Sequence, residues 1–339
     1  MKEQAQALVD RFVQARDAIR AAFRMESDYM YPVCASVFLA ADRPVEPEEL
    51  DRCKRLVKES VGIFSNFRGN IKLPLICMLA AGDDPEGRWE KTQRAYALLK
   101  ERFFGSEYLA LAALLLSDAV REEDLPALAA RGRELYQRMK KAHPFLTGQE
   151  DSVFALLLAQ SPRTDEELIE DMEACYALLD ERFPKGDGLQ SASHVLSLCP
   201  GSPEEKAGRV IALFDAIEAA GGKYGKDRQL PLLAALSLKE AREEELVQNL
   251  LEVDERLSAQ KGYKGIFGLD RRTRTMHAAM LLCLPEAGKG GTAQAAAGQS
   301  ALSLAAAQQA TLAMIIAQQA LMCALVASSA ASSAANSAH

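Results

Sequence analysis

Residues 164–203 read TDEELIEDMEACYALLDERFPKGDGLQSASHVLSLCPGSP. Thr164 and Glu167 have the spacing of a capping box, in which the hydroxyl accepts one backbone N–H and the carboxylate accepts another. Leu168, Met172, Cys175, Leu178, Leu179 and Phe183 then recur at helical spacing. Pro184-Lys-Gly-Asp-Gly188 stops that helix, and a second, more apolar one begins in Ser193 to Leu198. Pro200-Gly-Ser-Pro203 closes the unit, and Ser202 with Glu205, around Pro203 at the first helical position, opens the next. The stretch predicts a long amphipathic helix, a glycine-bearing connection and a short apolar helix.

The same unit returns along the chain. Pro44, Pro85, Pro126, Pro162, Pro203 and Pro285 each closely follow an apolar run and lie 41, 41, 36, 41 and 82 residues apart. Tyr96-Ala-Leu-Leu-Lys-Glu-Arg-Phe103 reappears as Tyr176-Ala-Leu-Leu-Asp-Glu-Arg-Phe183, and Leu73-Pro-Leu-Ile76 as Leu230-Pro-Leu-Leu233. A period near 40 fits one helix-turn-helix pair per repeat. No alternating β-branched run and no Asn-Gly hairpin turn occurs. The expected fold is all-α: about seven pairs, with long helices starting near 3, 47, 88, 125, 165, 204 and 242, stacked as an α-solenoid or closed into an α/α toroid.

The apolar share of 49% in 339 residues is ample for a large core. A net charge of -7, with no basic run interleaved with aromatics, argues against a nucleic-acid partner. The N-terminus opens directly into an amphipathic pattern without an apolar signal segment, so the expected compartment is the cytoplasm. Seven cysteines, none closer than 19 residues to another, read as buried free thiols.

From Gly290 to Ala338 there is no Lys, Arg, Asp or Glu. Gly288-Lys-Gly-Gly291 reads as a hinge, which divides the chain into a helical-repeat domain at 1–288 and an uncharged Ala/Gln/Ser-rich tail at 289–339. Alanine and glutamine favour a helix, expected from about 293 to 328. The favoured reading is a coating helix that docks on its own array or on another copy through Leu312, Ile315, Ile316, Leu321, Met322 and Leu325. A flexible low-complexity tail ranks second. Membrane association ranks last, because Gln318 and Gln319 interrupt the apolar run and no basic flank orients it.

Recognisable chemistry is missing from the sequence. The four histidines lack metal-site spacing, and there is no nucleophile elbow, phosphate-binding glycine loop or dinucleotide fingerprint. The sequence therefore offers no catalytic residue, metal site or cofactor. Acidic pairs such as Glu48-Glu49, Glu122-Glu123, Glu166-Glu167 and Glu204-Glu205 fall in first turns of long helices, where carboxylates suit the positive end of the dipole. Trp89, Tyr136 and the other scattered aromatics are expected in inter-helix packing.

The connections within pairs differ from the joints between pairs. The joints are Pro, Ser, Asp and Glu, and capping explains them. The connections combine aromatic, glycine and mixed charge, and contain residues that helix formation does not require. Arg68, Asn70, Gln149, Asp151, Gln190, His194 and Arg228 are accordingly the candidate ligand-binding residues, suited to a polar or anionic ligand. The competing reading makes them ties between neighbouring loops, buried and paired.

Gly62-Ile-Phe-Ser-Asn-Phe-Arg-Gly-Asn70, Leu146-Thr-Gly-Gln-Glu-Asp151 and Gly188-Leu-Gln-Ser-Ala-Ser-His194 resemble the signature stretches of a bacterial family catalogued as domain of unknown function four thousand and three. The uncharged tail resembles the end of those proteins as well. The resemblance implies a soluble helical protein from a Firmicutes-like bacterium, and no activity or catalytic residue comes with it. The favoured function is a non-enzymatic helical-repeat protein that binds an unknown protein partner, or itself through the tail. The alternative is an α/α-toroid enzyme or small-ligand binder with its site at the connection edge.

Overall fold

The structure, a computed structural model, describes residues 2–264 and 268–284. Among these residues it is all helical, with no strand. Long helices α1 (Lys2–Ala22), α3 (Pro47–Ser60), α5 (Pro85–Leu99), α7 (Leu125–Ala142), α9 (Asp165–Asp180), α11 (Pro203–Ala219) and α13 (Glu243–Ser258) alternate with shorter ones. The shorter helices are α2 (Met30–Ala40), α4 (Lys72–Ala80), α6 (Glu107–Ala119), α8 (Asp151–Leu158), α10 (Asp187–Ser197), α12 (Leu230–Ser237) and α14 (Arg271–Cys283). The expected tail helix and Cys323 lie outside the described residues. No described helix is long and apolar enough to cross a membrane.

Local chemistry sets the helix starts. Thr164 and Glu167 form the full capping box of α9, Ser202 accepts the Glu205 N–H at α11, and Pro47, Pro85 and Pro203 occupy first turns. One boundary differs from expectation. The second helix of the 164–203 unit starts at Asp187, not at Ser193, so Gly188 lies inside it. A Cβ on Gly188 would come within 2.2 Å of the Asp227 carbonyl oxygen. The glycine that reads as a stop signal is therefore a point of close backbone approach.

By contact the chain divides into two compact units, one holding residues 2–14 and 127–284 and the other residues 15–126. In the 15–126 unit, α2 packs on α4, α3 on α4 and α5, and α5 on α6. In the other unit the short helices α8, α10, α12 and α14 meet in succession, as do the long helices α9, α11 and α13. There the Arg256 guanidinium on α13 also donates to the Gln6 side chain on α1. The two kinds of helix bury different amounts of themselves. α2 is buried continuously from Met30 to Leu39, α4 from Leu73 to Ala80 and α6 from Tyr108 to Leu116. α3 buries only the stripe Leu50, Cys53 and Val57. All-round apolar sequence suits a helix enclosed on every side, whereas a stripe suits an outer layer.

The joints hold more than caps. Basic side chains meet the last carbonyls of the short helices: Arg88 donates to Met78, and Arg131 to Ala159 at 3.0 Å and Ser161 at 2.5 Å. Arg209 donates to Lys239 at 2.6 Å, and Lys239 to Leu282 at 2.5 Å. Capping alone was the expected content of this edge, so these contacts correct it. In the 127–284 unit Asp171, 5% exposed, accepts from Lys206 at 2.6 and 2.8 Å and from Arg163 at 2.9 Å. Lys206 also donates to the Cys199 carbonyl at 3.3 Å. Asp171 falls at helical spacing from Leu168 and Cys175, which was the available signal. Breaking a buried pair strands the other charge, so Lys206→Met should cost about 3–5 kcal/mol in urea unfolding. A loss below about 1 kcal/mol would show that Arg163 and solvent suffice for Asp171.

Candidate functional site

The connection between α7 and α8 is a tight helical turn in which the Thr147 N–H donates to the His143 carbonyl at 2.9 Å. Asp151, the first residue of α8, accepts the Gly148 N–H at 2.8 Å, and the Gly148 carbonyl accepts the Tyr136 hydroxyl at 3.0 Å. The Ser152 hydroxyl donates to the Gln149 carbonyl at 2.6 Å. This turn brings Glu150 and Asp151 together at the positive end of α8. The facing helix is α10, in which Gln190, Ser193, His194 and Ser197 are all enclosed. Gln190 donates to Thr147 Oγ1 at 2.9 Å, which ties the turn to α10. His194 packs on Phe154 with ring centroids 5.2 Å apart, and its Nδ1 stands 3.4 Å from Asp151 Oδ1. That separation is an ion-pair distance and too long for a well-formed hydrogen bond.

Carboxyl groups crowd this corner. Burial first, then the charges of Asp151 and Asp187, push the Glu150 carboxyl up to about 7. Asp187, at the start of α10, is raised by burial and by Asp151 and Asp227, and Arg228 partly offsets the rise. The Tyr136 phenol is raised for the same two reasons, burial and Asp151. A carboxyl that exchanges its proton near neutrality can donate or accept one in a way an ordinary surface glutamate cannot. Among the described residues no group of three or more His, Cys, Asp or Glu side chains could hold a metal ion.

Five of the seven candidate residues, Gln149, Asp151, Gln190, His194 and Arg228, thus belong to one unit. Asp151, Gln190 and His194 are buried, Arg228 is half-buried and Gln149 is exposed. Arg68 and Asn70 belong to the 15–126 unit. Arg68 donates to the Lys58 carbonyl, while the Asn70 N–H and side chain donate to Glu107 at 2.6 and 3.1 Å. Arg68 thus closes its own connection onto the end of α3, and Asn70 ties that connection to the start of α6. Glu150 and Asp187 were not singled out from sequence, because an acidic residue at a helix start reads as dipole chemistry.

A different feature marks the connections as a class. The large apolar side chains that stand strongly exposed among the described residues are Met25, Ile63, Phe64, Phe104 and Phe145. All five lie in connections within helix pairs. The expectation that scattered aromatics serve inter-helix packing holds for Trp89 and fails for Phe64, Phe104 and Phe145, which project into solvent. The joints of the 127–284 unit instead carry an open groove of about 290 Å3, lined by Glu204, Glu205, Arg209, Ser237, Glu243 and Leu246 among others.

The chain belongs to the family described as "Protein of unknown function (DUF4003)", whose match spans residues 17–320. It is similar to "Uncharacterized protein YeaA" of Bacillus subtilis (strain 168), with 23% identity over 253 residues, 71% of this chain and 74% of that protein. No solved structure matches it.

The Glu150 carboxyl gives a pH prediction. Its proton affinity is higher in the folded chain than the ordinary value of 4.5, so its contribution is most favourable at low pH. That contribution is lost as pH rises through about 7. Glu150→Gln should therefore stabilise the chain by on the order of 1–3 kcal/mol at pH 8 and leave it unchanged near pH 4. Equal melting temperatures for the two proteins at pH 8 would mean that Glu150 is ionised there at no cost.

Proposed function

We propose that the protein is a non-enzymatic helical-repeat binding protein, its helix pairs stacked as an α-solenoid or α/α toroid, and that its working surface is the edge of intra-pair connections. The observation that carries this reading is the position of Met25, Ile63, Phe64, Phe104 and Phe145, all strongly exposed and all in those connections. Exposed apolar side chains gathered on one class of loop mark an interaction surface more often than chance scatter. Self-association through the uncharged tail is the second element, since a segment without charge from 290 to 338 needs a covering partner.

A small-ligand site is the alternative. Glu150, beside Asp151, Asp187 and His194, favours it, with Gln149, Gln190 and Arg228 of the same unit at its margin. A ligand bound there would protect His194 and shift its ring resonances in NMR titrations.

Two measurements test the favoured reading. Residue-resolved lysine crosslinking in a bacterial lysate should place partner crosslinks on connection lysines such as Lys58, Lys100 and Lys141. These crosslinks should diminish in the Phe64→Ser/Phe104→Ser variant. Crosslinks confined to joint lysines such as Lys239 would overturn it. For the tail, light scattering should give a larger mass for the full chain than for a version truncated after Lys289, with both keeping a cooperative melt. Equal monomeric masses would remove self-association, and a lost cooperative melt would show that residues 1–288 are not an autonomous domain.

A further inference from the structure

Three consecutive connections of the 15–126 unit lie side by side. Lys72 pairs with Glu26 at 2.7 Å, which joins the second connection to the first. Asn70 holds Glu107, and Asn66 donates to the Tyr96 hydroxyl at 2.6 Å, which join the second to the third. Each connection contains one aromatic sunk in the core and a large apolar side chain left in water. Phe23 is 5% exposed and Met25 is 96% exposed. Phe67, packed edge-on against Trp89 and Tyr96 with centroids 4.9 and 4.8 Å apart, sits below Ile63 and Phe64. Phe103 is buried and its neighbour Phe104 is 82% exposed. The buried members anchor these loops, so the exposed ones are held out by structure.

The two kinds of loop differ in charge, although at the joints Arg52 pairs with Glu49 and Glu86, Arg94 with Glu122, and Arg121 with Glu123 and Asp124. First turns at the joints carry Glu48, Glu49 and Glu86, and the turn at 122–124 is wholly acidic. At the connections the acids are largely engaged: Glu26 with Lys72, Asp28 with Arg20 at 2.8 Å, and Glu107 with Asn70. Arg24, Lys58, Lys100 and Arg102 remain exposed around the apolar tips, opposed there by Glu59 and Glu101.

We propose that this connection edge docks on an anionic lipid bilayer, with Met25, Ile63, Phe64 and Phe104 entering the boundary between headgroups and acyl chains. The proposal rests on the reading that the connections are the working surface, and it names the partner. The apolar tips stand clear of their surroundings, Phe64 at 95% exposure, and the exposed Arg24, Lys58, Lys100 and Arg102 beside them point to an anionic partner. Protruding apolar and aromatic side chains ringed by Lys and Arg match an interface where the apolar part is buried and cations meet lipid phosphates.

The test is flotation of the full chain with vesicles of phosphatidylcholine alone and of phosphatidylcholine with phosphatidylserine. The chain should float with the anionic vesicles, and salt should weaken the association. Phe64→Ser/Phe104→Ser should lower partitioning by about tenfold or more, and Lys58→Glu/Arg102→Glu should lower it on anionic vesicles specifically. Trp89, the one tryptophan, packs on Phe67 and its unchanged fluorescence would show that the variants keep the edge intact. Absence of flotation, or flotation equal in the wild type and the Phe64→Ser/Phe104→Ser variant, overturns the proposal. If connection-directed crosslinks persist in that case, the working-surface reading stands with a protein partner. If they also fail, both fall.

Discussion

A helix enclosed on all sides has no water at its ends, so the backbone groups it leaves unpaired must be met by protein. The short helices of this chain are in that position. At their C-termini Arg88, Arg131, Arg209 and Lys239 donate to the terminal carbonyls, where a cation also suits the negative end of the dipole. Lys206 adds a further bond to the Cys199 carbonyl while neutralising Asp171. Arg88, Arg131, Lys206 and Arg209 come from neighbouring long helices and Lys239 from the joint after α12, so satisfying one helix end helps fix the position of another element. The enclosed layer and the order of the helices are consequences of one requirement.

The same requirement is met by different residues at the joints and at the connections. Basic groups at the joints serve carbonyls and carboxylates together: Arg131 meets the Ala159 and Ser161 carbonyls and also Asp165, while Arg52 pairs with Glu49 and Arg138 with Glu166. At the connections, helix starts are met by local acceptors: Ser106 accepts the Leu109 N–H, and Asp270 accepts those of Arg272 and Thr273. Basic side chains also meet carbonyls there, Arg68 that of Lys58 and Arg271 that of Gly221 at 2.8 Å, while other loop residues are left for other uses. One use is visible in the corner where Glu150 and Asp187 stand beside the buried Asp151 and His194. The other is the set of apolar tips at Met25, Ile63, Phe64, Phe104 and Phe145.

Much of the helix pattern was legible because helix starts have local signals. Thr164 with Glu167, Ser202 with Glu205, and the prolines at first turns could be read without any tertiary information. Gly188 was misread because the Asp227 backbone that needs it lies some forty residues on. Asp171 and Lys206 were passed over because a charge in a helical stripe is ordinary until its burial is known. Phe64 and Phe104 differ from Phe67 and Phe103 in exposure, which sequence type alone does not encode: each exposed ring sits within three residues of a buried one. Asp151, Gln190 and His194 were recognised as superfluous to helix formation, and the structure shows them joining α8 to α10.

Hydroxyl-radical footprinting of the purified full chain tests the account most directly, because the central claim is a difference in exposure between neighbouring side chains of like chemistry. Met25, Phe64, Phe104 and Phe145 should label rapidly, while Met30, Phe67, Phe103 and Phe154 stay protected until the chain unfolds. Comparable protection of Phe64 and Phe67, or of Phe104 and Phe103, would contradict an open apolar edge and the function built on it.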